Sequence, residues 1–226
     1  MKAPIGRRLS GALTTAYNGG VAKLLKAVLV AAVFLLPSQP WAGEAEEAAR
    51  LAAELASGKA AIGTSFTLKD PGGRSRSLAD FRGKVVLLYF GYTFCPDVCP
   101  TDLMQIARAL RDLGKQASQV VPIFITLDPE RDTPALLGAY VKSFHPRIVA
   151  LRGSQAQTRR IARAFKVYYE RVTPPGSSTY VINHAAFTFI LDRRGKYLSF
   201  IPPGTPSGRT AEMLREAISE RGLRKQ

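Results

Sequence analysis

Residues 84–100 have the sequence KVVLLYFGYTFCPDVCP, and this stretch decides the fold. The run from Val85 to Phe90 consists of uninterrupted apolar β-formers, which is typical of a strand buried on both faces. After a short loop, an amphipathic pattern predicts a helix from about Asp97 to Leu113. A buried strand should therefore lead directly into a helix, with Cys95 and Cys99 at the junction.

The flanking segments alternate between strand and helix patterns. Upstream, a turn over Asp70–Gly73 between apolar residues predicts a β-hairpin. Downstream, the patterns predict strands over Val120–Leu127, Ile148–Leu151, Phe187–Leu191 and Tyr197–Ile201, helices over Thr133–Phe144, Gln155–Val167 and about Gly208–Arg221, and a Pro/Gly/Ser-rich interruption over Thr173–Ser178. This order predicts an α/β protein with a thioredoxin-like fold, in which helices flank a central mixed sheet and an N-terminal β-hairpin precedes it.

The first 42 residues have the pattern of an export signal. Residues 1–26 contain five cations and no acidic residue, and an apolar run of ten residues follows over Ala27–Leu36. Ten residues rise about 15 Å as a helix, roughly half the hydrocarbon thickness of a bilayer. We therefore expect residues 1–42 to be a signal peptide, with an anchor beginning near Val21 as the alternative. Either one predicts that the rest of the chain lies in the periplasm.

The remaining sequence divides into a linker and a domain. Residues 43–59 predict a linker helix, with its helical pattern over Glu44–Ser57, and residues 60–226 predict the thioredoxin-like domain. The chain carries a formal net charge of +15, which suits an acidic protein or an anionic lipid surface. It has no zinc-finger spacing, RNA-binding motif or basic-region helix, so nucleic acid is not an expected partner.

Cys95 and Cys99 are the chain's two cysteines, and their spacing leaves three interpretations open. Helical residues four apart share a face, and a helix N-terminus favours thiolates, so the pair could hold a soft metal such as Cu(I) or cycle as a redox pair. A structural disulfide is also feasible, although so short a loop gives only about 2 kcal/mol. Asp97 and Asp102 are expected in the first turn, where acidic residues suit the helix dipole.

The two histidines have different expected roles. His184 lies just before the strand Phe187–Leu191, beside the predicted cysteine-bearing helix. Thioredoxins normally place a cis-proline there, and this chain has no proline between Val181 and Leu191, so an imidazole ligand completing a three-coordinate copper site fits better. His145 ends a predicted helix before Pro146, where we expect it to interact with the last carbonyl groups.

These residues closely resemble the Sco/SenC family, the copper proteins that assist assembly of cytochrome c oxidase. The resemblance covers about Ile62–Leu223 and is carried by residues 84–100 and by TLDPERDT over Thr126–Thr133. It implies one copper held by Cys95, Cys99 and His184. It also implies a partner, the copper-receiving subunit of cytochrome c oxidase or another periplasmic copper protein, to which the family delivers copper or whose cysteines it reduces.

One position departs from the family pattern. The family usually has an aspartate immediately before the histidine, whereas this chain has Asn183. If that side chain faces the site, the missing charge should weaken Cu(II) binding relative to Cu(I).

Asp128 and Asp132, at the end of the second buried strand, could influence the site or could serve as turn and helix-capping residues. The competing function is a thiol–disulfide oxidoreductase in which Cys95 and Cys99 cycle and His184 tunes their reactivity. A cysteine peroxidase is the third interpretation, because related folds host such enzymes.

Overall fold

The computed structural model describes residues 62–219, together with residues 49, 50 and 53, which are helical. The expected signal peptide over 1–42, most of the linker helix over 43–59 and the predicted end of the last helix at Arg221 lie outside the described residues. Within the described part of the chain, no helix is both long enough and apolar enough to cross a membrane.

The described residues form nine strands and four α-helices. The strands are β1 (Thr67–Lys69), β2 (Ser75–Ser77), β3 (Val85–Gly91), β4 (Val120–Thr126), β5 (Val149–Leu151), β6 (Tyr169–Val172), β7 (Val181–His184), β8 (Thr188–Leu191) and β9 (Tyr197–Ile201). The helices are α1 (Val98–Asp112), α2 (Pro134–Phe144), α3 (Gln155–Ala164) and α4 (Ser207–Ile218). Short 3₁₀ segments cover Leu78–Phe81 and Gly114–Gln119.

The central sheet is mixed and has the strand order β5-β4-β3-β8-β9. Strand β3 runs parallel to β4, which runs parallel to β5, while β8 pairs antiparallel with β3 and β9. Parallel neighbours need a crossover, and α1 supplies it between β3 and β4. The α/β class, the mixed sheet and the N-terminal hairpin β1–β2 are confirmed.

Strand β3 is the centre of the core. All seven of its residues are buried, as the uninterrupted apolar run predicted. It is bonded on both sides, from Val85 opposite Val120 through Gly91 opposite Thr126, and to β8 on the other edge. Because its backbone cannot shift, the end of β3 fixes where α1 begins and where the cysteines lie.

The prediction over 155–186 was partly wrong. Helix α3 ends at Ala164 rather than at Val167, because Lys166 takes a left-handed backbone with φ 58° and the Val167 N–H donates to the Ala162 carbonyl at 2.8 Å. The sequence analysis assigned no strand to β6 or β7, which form a separate two-stranded antiparallel ribbon. The Pro/Gly/Ser-rich segment is the connection between these two strands.

Gly91 permits the close packing at the end of β3, and its replacement tests that packing. A Cβ atom there would lie 2.9 Å from the Cys99 Sγ and 3.0 Å from the Phe124 ring. We expect Gly91→Ala to lower the free energy of unfolding by about 1–3 kcal/mol in urea titrations. Gly208→Ala is the matched control, because nothing lies within 4 Å of its Cβ, and it should match the wild type. Equal stability of the two variants would contradict the packing described here.

Candidate metal centre

Cys95 lies three residues before the start of α1 and takes part in capping it. The Asp97 side chain makes no capping hydrogen bond, although this residue occupies the N-cap position. Instead, the backbone N–H of Cys99 donates to the Cys95 Sγ at 3.4 Å. The first turn of a helix has unpaired N–H groups, and here a sulfur satisfies one of them.

His184 reaches the cysteines from the ribbon β6–β7. Its Nε2 lies 3.3 Å from the Cys99 Sγ. The prediction that His184 lies beside the cysteine-bearing helix is confirmed by this distance. However, it ends β7, whereas the sequence placed it at the mouth of the strand that is now β8.

The three side chains form a group that could hold a metal ion. One candidate ligand atom from each of Cys95, Cys99 and His184 lies within 4.8 Å of the other two. At bond lengths of about 2.0–2.3 Å to nitrogen and sulfur, ligand atoms of a three-coordinate site lie roughly 3.5–4 Å apart. The residues therefore fit a metal with small adjustments, and the described residues contain no second group of three such side chains this close.

Aromatic rings enclose the imidazole. Tyr92 and Tyr89 each make an edge-on contact with His184, at centroid distances of 6.1 and 6.5 Å. The His184 Nδ1 is buried and has no hydrogen-bond partner among the described residues. The ring is therefore held by packing rather than by the outer hydrogen bond that orients most metal-bound histidines.

Tyr89 and Asp102 extend this packing into the core. The Tyr89 hydroxyl donates to the Asp102 carboxylate at 3.2 Å, and the Gly204 N–H donates to the same carboxylate at 2.8 Å. Asp102 is buried, and burial raises the pKa of its carboxyl. The expectation that Asp97 and Asp102 act as first-turn acids was wrong, because no acidic residue occupies the first turn of α1. Asp102 instead holds Tyr89 in place through this hydrogen bond, and His184 packs against Tyr89.

The two thiols differ in acidity. A hydrogen bond from Cys99 lowers the pKa of Cys95 more than burial raises it, and His184 lowers it further. Burial raises the pKa of Cys99, and the neighbouring Cys95 sulfur raises it again. Cys95 is half-buried whereas Cys99 is fully buried, so the more acidic thiol is also the more accessible one.

This asymmetry predicts selective alkylation of the reduced, metal-free protein. Because the thiolate is the nucleophile that attacks iodoacetamide and displaces iodide, Cys95 should be modified at least about tenfold faster than Cys99 at pH 6. Peptide mass spectrometry after short exposure measures both rates. Cys95→Ala serves as the control, in which only the slow modification of the buried Cys99 should remain. Equal modification of both cysteines in the folded protein would contradict the assignment.

Asp132 fixes the loop that carries Cys95. Its buried carboxylate accepts hydrogen bonds from the Thr93 N–H at 3.2 Å and the Thr93 hydroxyl at 2.6 Å. It also accepts one from the Thr126 hydroxyl at the end of β4. Asp132 therefore joins β4 to the residues just before the cysteines, and it is not a member of the three-residue group.

Asp128 and Arg131 fix the strand that carries His184. Asp128 is fully buried and accepts from Arg131 and, at 2.9 Å, from the Tyr180 hydroxyl. The Arg131 guanidinium lies 3.6 Å from the centroid of the Tyr180 ring and donates to the Tyr180 carbonyl at 2.9 Å. Because Tyr180 immediately precedes β7, these contacts fasten the ribbon to the end of β4. Both aspartates thus act by positioning backbone segments, which is neither metal ligation nor helix capping, since Thr133 is the N-cap of α2.

Arg131→Gln should test this attachment. Removing one partner of a buried ion pair typically costs about 3 kcal/mol, so we expect a loss of that size in the free energy of unfolding. Copper affinity should also fall, since β7 loses an anchor.

Arg74→Gln is the matched control, because Arg74 pairs with Asp70 but 78% of its side chain is exposed. It should lose less than about 1 kcal/mol. Equal losses in the two variants by urea unfolding would contradict the positioning role of Arg131.

The condition on which the expectation for Asn183 depends is not met. Asn183 lies within β7, opposite Glu170, and its side chain is exposed. Neighbouring residues on a strand point to opposite faces, so Asn183 faces away from the site when His184 faces it. The missing carboxylate therefore has no direct path to the metal ligands.

His145 has the capping role that the sequence predicted. It is the C-cap of α2, its N–H donates to the Val141 carbonyl at 3.2 Å, and its Nδ1 accepts from the Arg147 N–H at 3.2 Å. Sequence reasoning missed Tyr89, Tyr92, Arg131 and Tyr180. In the sequence, the three tyrosines cannot be distinguished from ordinary strand or loop residues. Arg131 could have been identified, because it lies within the TLDPERDT motif over Thr126–Thr133.

Solved structures with the same architecture include copper proteins. The copper-bound ScoI of Arabidopsis thaliana is 32% identical, with a TM-score of 0.66 over 71% of this chain and 99% of that chain. The copper-bound ScoI of Bradyrhizobium japonicum is 38% identical, with a TM-score of 0.64 over 70% and 99%. Among curated proteins, the SCO2-like protein of Rickettsia prowazekii is 40% identical over 62% of this chain and 69% of its own length.

The fold and the site together define a thioredoxin-like domain with a Cys/Cys/His group at the strand-to-helix junction. The SCO1/SenC family model matches residues 54–219. The chain belongs to the SCO1/SenC family.

Proposed function

We propose that this protein binds one copper ion through Cys95, Cys99 and His184 and assists assembly of the copper site of cytochrome c oxidase. The convergence of two sulfurs and one imidazole nitrogen within 4.8 Å carries this proposal. Thiolates are soft ligands that suit Cu(I), and imidazole suits copper in either common oxidation state. Relatives with copper bound have the same fold at 32% and 38% identity.

The arrangement suits transfer as well as binding. Cys95 is half-buried at the edge of the site, whereas Cys99 is enclosed by the core. An incoming ligand from an acceptor protein can therefore approach through Cys95 while Cys99 and His184 retain their positions. We propose that this acceptor is the copper-receiving subunit of cytochrome c oxidase or another periplasmic copper protein.

The proposed location is the periplasm. Its support is the basic segment over 1–26 and the apolar run over Ala27–Leu36, which suit export by a signal peptide or attachment to the inner membrane.

Replacement of the two histidines provides a matched test of the metal site. His184→Ala should weaken Cu(II) binding at least about a hundredfold, because one of three ligands is lost. His145→Ala removes the other histidine of the chain, which caps α2, and should bind copper as the wild type does. Chelator competition measures both affinities. Undiminished binding and an unchanged visible spectrum in His184→Ala would contradict the proposed ligand set.

A thiol–disulfide oxidoreductase is the second candidate function. The observation that favours it is the pair of free cysteines in which Cys95 has a lowered pKa and Cys99 a raised one. In this chemistry the Cys95 thiolate attacks a substrate disulfide and one substrate thiolate leaves. Cys99 then attacks the mixed disulfide, forms the Cys95–Cys99 bond and releases the second substrate thiolate.

Oxidation and copper loading should exclude each other. A thiolate consumed in a Cys95–Cys99 disulfide has no charge to donate to a metal, so oxidised apo-protein should bind copper at least about a hundredfold more weakly than reduced protein. Thiol titration and copper analysis after removal of the oxidant measure this. Tight binding by protein without titratable thiols would place the copper elsewhere.

The same variants separate the two candidate functions. Reduction of a disulfide-linked peptide requires Cys95 and Cys99 but no ligand from His184. If His184→Ala loses copper binding and the wild type shows no peptide reduction, the copper function is supported and the oxidoreductase function is rejected. Efficient peptide reduction by both proteins would support the oxidoreductase.

A further inference from the structure

A basic cleft of about 620 Å³ is formed by α3, β6 and the residues that join them. Four cationic side chains line it: Arg159, Arg163, Lys166 and Arg171. Glu130 is the one carboxylate among its described lining residues, and it accepts from Arg171 at 2.9 Å. Arg159, Arg163 and Lys166 have no part in the metal centre described above, whereas Arg171 also lies 3.5 Å from the Asp128 carboxylate near Tyr180.

The cations on α3 are not balanced internally. Arg159 and Arg163 are four residues apart and therefore share a face of the helix. Like charges at this spacing destabilise a helix, and neither arginine forms an ion pair within the described residues. Two exposed guanidinium groups are thus available at one wall of the cleft.

Lys166 occupies a position where glycine is usual. Its N–H donates to the Arg163 carbonyl at 3.0 Å while the Val167 N–H bonds to Ala162, which is the Schellman pattern that ends a helix. It has φ 58° and is the one non-glycine residue in the described chain with a positive φ. A Cβ atom disfavours this left-handed backbone, so lysine at this position raises the free energy of the folded state relative to glycine.

The remaining polar groups of the cleft suit a peptide. The Tyr169 hydroxyl and the Gln155 Oε1 are buried and have no hydrogen-bond partner in the described structure. A hydroxyl can donate to a carboxylate, and an amide oxygen can accept from a peptide N–H. A lipid phosphodiester carries no hydrogen-bond donor and a free hydrogen phosphate carries only its O–H groups, whereas an acidic peptide offers carboxylates and a series of N–H groups along one segment.

The cleft also adjoins the metal centre. Tyr169 of β6 lies directly opposite His184 of β7 in the ribbon register. Directly opposed residues of an antiparallel pair are separated by about 4.5–5.5 Å between Cα atoms. A segment bound in the cleft therefore contacts the strand that is paired with the one carrying His184.

We propose that this cleft binds an acidic peptide segment of a partner protein and docks that partner beside the metal centre. Arginine clusters commonly recognise acidic motifs, and complementary charge increases the rate of association. The identification of the partner as the copper acceptor rests on the proposed function, whereas recognition of an acidic segment does not.

The test uses full-length reduced protein and a short fluorescein-labelled peptide in which Glu and Ala alternate. Fluorescence anisotropy at low ionic strength should show saturable binding, and the same peptide with Gln in place of Glu should not bind. Arg159→Gln/Arg163→Gln should weaken binding by about fivefold or more. The matched control Lys115→Gln/Lys142→Gln removes the same charge from exposed positions outside the cleft and should change binding less than about twofold.

Two further variants give effects that general destabilisation does not imitate. Lys166→Gly should weaken peptide binding while leaving the thermal midpoint unchanged or raised, since glycine suits the left-handed backbone. Glu130→Gln should tighten binding, because it removes the one carboxylate among the described lining residues of the cleft, while Arg171 keeps its pairing with Asp128.

Equal weakening by the cleft and control pairs would overturn the proposal, as would displacement of the peptide by equimolar inorganic phosphate. Tighter cleft-dependent binding to phosphatidylglycerol vesicles than to the peptide would assign the cleft to a membrane and would also overturn it. Copper affinity is measured in every variant. Normal copper binding by a protein that does not bind the peptide would reject the docking site but leave the proposed copper site intact. The copper site is tested separately, by the loss of copper binding expected in His184→Ala.

Discussion

The hydrogen bond from the Cys99 N–H to the Cys95 Sγ is the interaction on which the site depends. It exists because β3 ends at Gly91 inside the core and α1 begins seven residues later, at Val98. The unpaired N–H groups of a first helical turn need acceptors, and a thiolate is a better acceptor than a thiol. The hydrogen bond from the Cys99 side chain contributes most to the lowered pKa of Cys95, and the backbone contact, which caps the helix, lowers that pKa further. The position of this cysteine pair thus follows from the general requirement to cap the N-terminus of a helix.

His184 is held by a different set of forces, since its strand is not part of the central sheet. Ribbon β6–β7 is fastened by the Tyr92 hydroxyl, which accepts from the Ile182 N–H at 3.0 Å, and by the buried pair of Asp128 and Arg131 near Tyr180. The imidazole itself is held between aromatic rings. The cysteines are thus positioned by the central sheet and its core, whereas the histidine is positioned by hydrogen bonds and an ion pair that attach its ribbon to that core. This division is consistent with the uptake and release of copper that we propose.

Much of this arrangement could be predicted from the sequence, because it follows from local patterns. The apolar run of β3, the helix after it and the hairpin β1–β2 have clear periodicities, and the four-residue spacing of Cys95 and Cys99 determines their shared face. The ribbon β6–β7 was missed because its strands are short, half-exposed and separated by a proline-rich connection. That omission left the orientation of Asn183 open, because strand geometry directs it away from the site whereas a loop would let it approach. The roles of Arg131 and Asp102 depend on contacts between segments distant in the chain, which no local pattern contains.

X-ray absorption spectroscopy of the full chain loaded with one equivalent of Cu(I) tests directly whether two sulfurs and one imidazole nitrogen converge on one ion, because sulfur and nitrogen neighbours lie at different distances from the metal. We expect two sulfur neighbours and one nitrogen neighbour, with the imidazole contribution absent in His184→Ala. A first shell made of nitrogen and oxygen alone, or an unchanged imidazole contribution in that variant, would contradict it.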